Sequence, residues 1–402
     1  MLNIVVLNGG RGAGSLIPSL LNNPSLNVTS IVNAYDDGKS TGEIRRFFEM
    51  LGPSDIRKVQ ELMLPKDHPD YLANLSIFQY RFPEDIAYSD AFNEIDNFAS
   101  KRSNSISGIS FSSESTSSQL RSYLNEFISA IQVLEKVKNS KFNFADCSIM
   151  NCIYAGAFLV HNRNIEDAAL GIEKIFNLKG EVIPTSIENK KLAALRENGE
   201  ILYSEAEIVE LRSNVRIERI YLLDESIERK LFETLDLVEK KQYLEQHHCY
   251  VAISSRAKVA LEQADIVVYS AGTQHSSLYP TYLSVGVAQA IADNHKAIKV
   301  FITNIGADYE TPSYKASDYI RGAFRYLELS DKRSYLLSDL FTANLVNNNA
   351  SDADESYVEF DKDEMNKINV PLIHDSFESD QNRGKHDGEK LHKALLSLYE
   401  TR

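Results

Sequence analysis

The sequence predicts an α/β fold: a doubly wound, mostly parallel Rossmann-like sheet with a helical insertion and a small β-hairpin element. Three observations carry that expectation. Ile4 to Leu7 is an apolar run ending in glycines, Leu16 to Leu21 reads as a helix, and Val28 to Ala34 reads as a second strand. The same rhythm returns late in the chain, with Val259 to Ala264 helical, Ile266 to Tyr269 a strand, Leu278 to Ala292 a helix, Ile298 to Thr303 a strand and Tyr314 to Leu327 a helix. A glycine cluster separates the first strand from its helix, which is where a parallel sheet offers its backbone to a ligand.

The elements between follow in order. Ser15 stands where it would cap the first helix, and Thr41 to about Leu134 reads as mostly helical, with 65–145 a helical insertion. The Ser-rich stretch Ser103 to Ser118 reads as an exposed loop within it. Cys152 to Val160 and Glu166 to Phe176 carry helical periodicity. The texture then changes over 180–225, a β-hairpin region. Glu181 to Ile187, Leu192 to Arg196, Glu200 to Tyr203 and Val215 to Leu223 are strand-like, and Asn198-Gly199 is a hairpin turn signal. Residues 330–370 form a variable acidic region whose stretch Asn347 to Glu364 reads as a solvated loop, and Glu389 to Leu398 is a closing helix. There is no internal repeat, and residues 1–402 read as a single domain.

Composition excludes several function classes. With 43 basic against 57 acidic residues the formal charge is −14, and no basic run supplies the footprint that nucleic acid requires. Cys147, Cys152 and Cys249 make neither a disulfide framework nor a zinc spacing, and read as thiols in a reducing compartment. The longest apolar stretch, Cys152 to Val160, is about half a bilayer span. No basic leader precedes the first strand. The expectation is a cytoplasmic protein without nucleic-acid or membrane partners, with a homodimer left open.

Three segments occupy the ligand-facing ends of strands. The first is Asn8 to Ser15, where Gly9, Gly10, Gly12 and Gly14 allow close backbone approach and the helix dipole favours an anion. The spacing is not that of a dinucleotide fingerprint, since Ser15 replaces its third glycine; the bland alternative is a tight turn. The second is Asp36-Asp37-Gly38-Lys39-Ser40-Thr41-Gly42. Gly38-Lys39-Ser40 resembles the end of a P-loop, but the earlier glycine that motif needs is Asn33. Two carboxylates, one ammonium and two hydroxyls suit a divalent cation with a diphosphate, and an Asp-Gly turn is the bland alternative. Nearby, Asp55 of Pro53-Ser54-Asp55-Ile56-Arg57 would either cap the next helix or complete a carboxylate set with Asp37. The third is Ser270 to Ser277, a loop of small and hydroxyl residues including Gly272, Thr273 and Ser276 that meets a helix N-terminus. His275 within it reads as a surface histidine.

In this order the segments resemble the CofD-like family, which contains 2-phospho-L-lactate transferase and the YvcK-type gluconeogenesis factors. The family's signatures read here as Gly9 to Gly14, Ala34 to Gly42 with Ile44-Arg45, and Pro53 to Arg57. Others read as Ser148 to Asn151, Asn198-Gly199 with Arg216-Ile217, Asp265 to Gly272, and His386-Asp387 with Lys390-Leu391. The chain departs from the family at Asp146-Cys147, where the family has Gly-His, and at Met150, where it has Gly. It departs again at Ser270-Ala271-Gly272-Thr273 for Gly-Pro-Gly-Ser and at Gln274 to Ser277 for Leu-Tyr-Thr-Ser. These changes bear on the nucleotide base and the acceptor.

The resemblance implies a transferase that moves a phosphorylated group from a nucleoside diphosphate-linked donor to an acceptor hydroxyl. Asp37 and Asp55 would hold Mg²⁺, Lys39, Ser40 and Thr273 would cradle phosphate, Asp36 would orient or deprotonate the hydroxyl, and Asn151 would face the nucleotide. The alternative is a non-catalytic, nucleotide-sugar-binding regulatory protein of the gluconeogenesis-factor type. A third reading, an NAD-dependent dehydrogenase, rests only on the acid after the second strand.

Overall fold

Short apolar runs buried on both faces build the central sheet. The computed structural model describes residues 1–331, 333–348 and 356–402. Its strands are β1 Leu2–Asn8, β2 Leu26–Val32, β3 Glu181–Pro184, β4 Lys191–Arg196, β5 Ile201–Leu202, β6 Ile217–Leu223, β7 Ile266–Tyr269, β8 Ile298–Ile302, β9 Ala343–Asn347 and β10 Leu372–Asp375. Seven form one sheet in the order β10-β9-β8-β7-β1-β2-β3, with every neighbouring pair parallel. Ile4 to Leu7 and all of β7 are buried, as strands covered by helices on both faces must be. The order reverses at β1: the chain steps to β2 on one side and later returns to β7 on the other, with Ile4 beside both Val28 and Ile266. A crevice opens beyond the carboxyl ends of strands at such a switch point.

Residues 65–145 hold the helices Tyr71–Gln79, Tyr88–Ala99 and Glu114–Lys138, the last of which packs against Ile149–Val160. The Ser-rich stretch is not all loop. Ser113 caps the long helix by accepting from the Thr116 N–H, so residues 114–118 are its first turn. The expected hairpin forms: β4 pairs antiparallel with β5 through Asn198-Gly199, where Gly199 has φ +85°, and with β6 on its other edge. The strand at Glu181 does not belong to that small sheet, because β3 extends the main sheet beside β2.

Other expectations needed revision. The long helix expected over Leu278 to Ala292 is broken into Tyr279–Tyr282 and Val287–Asp293, with Gly286 at φ +94° between them. Ser15 makes no side-chain cap bond. The acidic region supplies β9 and helix Lys362–Met365, and Asn347 is buried, its side-chain oxygen accepting from the Phe377 and Glu378 N–H groups. Residues 349–355 of that stretch lie outside the described residues. Among the described residues no helix is long and apolar enough to cross a membrane.

Candidate functional site

The loops after β1 and β7 meet because their glycines let them. A Cβ on Gly9 would overlap the Ser277 side chain, and one on Gly12 would overlap the Ala271 carbonyl. Gly10, at φ +65°, turns against the Asp55 carboxylate. Asn8, at the end of β1 and fully buried, fixes the turn from within. Its amide donates to the Gly10 carbonyl (3.1 Å), while its oxygen accepts from the Ala13 N–H (3.1 Å) and the Ser270 hydroxyl (3.4 Å). One asparagine thereby ties both loops together.

The contact leaves a cavity of about 1160 Å³ at the switch point. Of the residues singled out from sequence, Gly9, Gly12, Gly14, Asp36, Asp55, Gly272, Thr273 and Ser276 line it. The remaining walls come from Glu205 and Ala206, from 304–308, and from 379–389 next to the C-terminal helix Gly388–Glu400. Of these, only His386-Asp387 belongs to a motif singled out from the sequence, and no cavity role was read for it; the others carry no motif, and sequence reasoning missed them.

The second loop divides its residues between the cavity and the packing behind it. Asp36 faces the cavity and accepts from the Gly38 N–H (3.0 Å). Asp37 does not line it. Its carboxylate accepts from the Ala206 N–H (3.0 Å), securing the short helix Glu205–Glu210, which packs on the small sheet, to the loop after β2. Burial raises the Asp37 pKa, opposed by that N–H and by Arg45. The Arg45 guanidinium, itself buried, donates to the carbonyls of Tyr35 (2.6 Å) and Lys190 (2.5 Å) and to Asn189 (2.9 Å), so it also joins the two sheets. Lys39 turns outward, at φ +42°, to Asp146 (2.9 Å), which is also held by Arg81. Ser40 and Thr41 are buried behind the wall, where the Asn151 amide donates to both hydroxyls (3.1 and 3.4 Å). Lys39, Ser40, Thr41 and Asn151 thus gather behind the cavity surface, and Gly10 lies behind Asp55, which is itself on that surface.

Asp55 lies in the first turn of helix Ser54–Leu62, whose cap position is Pro53 without a side-chain cap bond. Its partner is Lys58, whose Nζ lies 2.8 Å from Asp55 Oδ1 and 3.7 Å from Asp36 Oδ2. Burial pulls the Lys58 ammonium down, but Asp55 and Asp36 outweigh it and its pKa is raised. Glu205 completes this wall. Burial, then the charges of Asp36, Asp55 and Asp37, push its carboxyl up to about 9, which favours its protonated form. Lys58 was legible only as a base one turn after Asp55, and Glu205 carried no signal.

Asp36 and Asp55 are the carboxylates that could face a divalent cation here, and the residues present do not fit one. The Lys58 ammonium sits between them, and the Asp37 oxygen expected to join Asp55 is bound to Ala206. No group of three or more His, Cys, Asp or Glu side chains suited to a metal occurs among the described residues.

The third loop opens a short π-helical turn, Gln274–Leu278, whose first N–H groups are already taken. Glu310, buried, accepts from the His275 N–H (3.0 Å), the Ser276 N–H (2.9 Å) and the Ser276 hydroxyl (2.5 Å). Burial, then Asp308, raise its carboxyl to about 7 against those three donors. The expected free anion site at this turn is therefore filled by the protein's own carboxyl group. Thr273, Ser276 and Ser277 form a hydroxyl chain along the cavity edge (2.8 and 3.2 Å). His275 is buried against Tyr279, contrary to the surface position expected, and burial lowers its pKa to about 3.

Comparison with known proteins places this geometry. Residues 4–381 match the family described as "2-phospho-L-lactate transferase CofD". The chain belongs to the CofD family. Similar proteins include a "Putative gluconeogenesis factor" of Thermotoga maritima, 26% identical over 82% of this chain and 76% of that protein. The "Gluconeogenesis factor" of Listeria innocua is 24% identical, over 98% of this chain and 95% of its own. That of Bacillus subtilis is 22% identical, over 98% and 97%. A crystal structure of a UPF0052-family protein from Bacillus halodurans superposes with a TM-score of 0.67 at 21% identity, covering 98% of this chain and all of that one, and shares the fold.

Proposed function

We propose that the protein binds a nucleoside diphosphate-linked small molecule, of nucleotide-sugar type, in the β1–β7 crevice, as a regulatory binding protein of the gluconeogenesis-factor kind. The observation that carries this reading is the convergence of the loops after β1, β2 and β7 on one cavity large enough for such a ligand. Its chemistry agrees. Carboxyl side chains outnumber the cations Arg11, Lys58 and Lys385 on the wall, which suits a ligand with few phosphates and many hydroxyls. Asp37 and Lys39, which the transferase reading assigned to the reaction, are engaged in holding the protein together.

The second reading, a transferase acting on a nucleoside diphosphate-linked donor, is favoured by the family match and by Asp36, whose carboxylate lies on the wall where an acceptor hydroxyl would approach. One experiment separates the two. A thermal-shift panel of UDP, ADP, GDP and their sugar conjugates should show stabilisation by at least one of them. Incubation of that ligand with hydroxyl acceptors should release no nucleoside monophosphate. Steady monophosphate release would favour the transferase, and no shift with any ligand would remove both readings.

A further inference from the structure

Lys58 enters the cavity from outside the three ligand loops. Helix Ser54–Leu62 sets it one turn beyond Asp55, and its ammonium lies 2.8 Å from Asp55 and 3.7 Å from Asp36. The side chain is 26% exposed and lines the cavity. An ammonium group has three donors. One is engaged by Asp55, and Asp36 is near enough for charge attraction without a hydrogen bond, which leaves donors for whatever occupies the cavity. A hard divalent cation would need the same carboxylate oxygens, and would have to stand within a few ångströms of a fixed positive charge. Arg57 and Arg45, both buried, add positive charge behind Asp55 and Asp36, so this pair is partly compensated by neighbouring side chains.

We propose that the Lys58 ammonium occupies the seat between Asp36 and Asp55 that a divalent cation would take, so that this chain holds a diphosphate without a metal. The diphosphate half rests on the ligand reading above; the seat does not.

The seat is tested with metal alone. Mn²⁺, visible by electron paramagnetic resonance, is titrated into the full chain and into Lys58→Ala, Lys58→Met and Lys58→Arg, each checked for an intact melting transition. The wild type and Lys58→Arg should bind Mn²⁺ weakly, and Lys58→Ala and Lys58→Met at least roughly tenfold more tightly, as for one well-made charge contact. Adding Asp55→Asn should abolish the gain. Equal Mn²⁺ affinity in all four chains, or no gain in the neutral variants, overturns the proposal. If the neutral variants do not fold, the wild type decides: saturable Mn²⁺ binding lost in Asp55→Asn overturns it, and its absence supports it. A calorimetric titration of UDP into the wild type, with chelator and then with millimolar Mg²⁺, tests the other half. Equal affinities support it, and binding seen only with Mg²⁺ overturns it. Failure of UDP to bind in either buffer would count against the ligand reading, and the Mn²⁺ arm would still decide the seat.

Discussion

Glu310 shows how a single side chain can link the site to pH. Its carboxyl is raised to about 7 because burial outweighs three hydrogen bonds to the ionised form. Its unfolded value is near the ordinary carboxylate range, so between the two values the folded protein holds a proton that the unfolded chain has lost. The associated stability is present at pH 4 and is lost as the pH rises towards and through 7. A shift of this size corresponds to about 3 kcal/mol. Glu310→Gln keeps a carbonyl acceptor for the turn and cannot ionise. Denaturant unfolding from pH 5 to 8 should therefore show a shallower decline for the variant, with the two curves separating as the pH rises; parallel curves would contradict the assignment. Neither Glu310 nor the burial of His275 was legible in the sequence, since both depend on a contact between segments about 35 residues apart. The glycines and Asp36 were legible because strand-end motifs are local.

The elements of the site depend on close backbone approach, which makes their glycines sensitive in a specific way. Gly12→Ala would drive a methyl group into the Ala271 carbonyl, in a place where neither loop can retreat without breaking the Asn8 hydrogen bonds. We expect a loss of about 1–3 kcal/mol, read by urea unfolding, together with loss of ligand-induced stabilisation. Gly108→Ala, whose Cβ would meet nothing within 4 Å despite φ +74°, should leave ligand stabilisation intact. Elements with strong periodicity were readable, as in helices Ile149–Val160 and Ile165–Phe176. β9 was hidden by the acidic composition around it, and the break at Gly286 was hidden by the apolar run on either side. In both cases long-range pairing outweighs the local pattern: β9 is held between β8 and β10, and Val285 bridges Ala252.

At the scale of the molecule, β1 lies between β2, close to it in sequence, and β7, which follows only after two helical groups and the small sheet. Parallel pairing across such a separation must overcome loop closure before it gains contacts, so folding should be slow. Stopped-flow refolding should show helix signal recovering before ligand-binding competence, and a single shared phase would contradict that order. The α/β class and the return of the strand–helix rhythm were legible because each unit is about thirty residues long. The wall from 304–308 was not, and of 379–389 only the His386-Asp387 motif was noticed, without its place in the cavity, because only the completed sheet brings these segments to the crevice.

A chamber whose walls run from Gly9 to Glu389 has a consequence for the lifetime of the protein. Local fraying of any wall segment dismantles the chamber, so an occupant resists the opening of all of them together. At a concentration one hundred times its dissociation constant it would add about 2.7 kcal/mol to global stability. Proteases that act on opened molecules would then clear empty copies faster than filled ones, and abundance would track the supply of the small molecule.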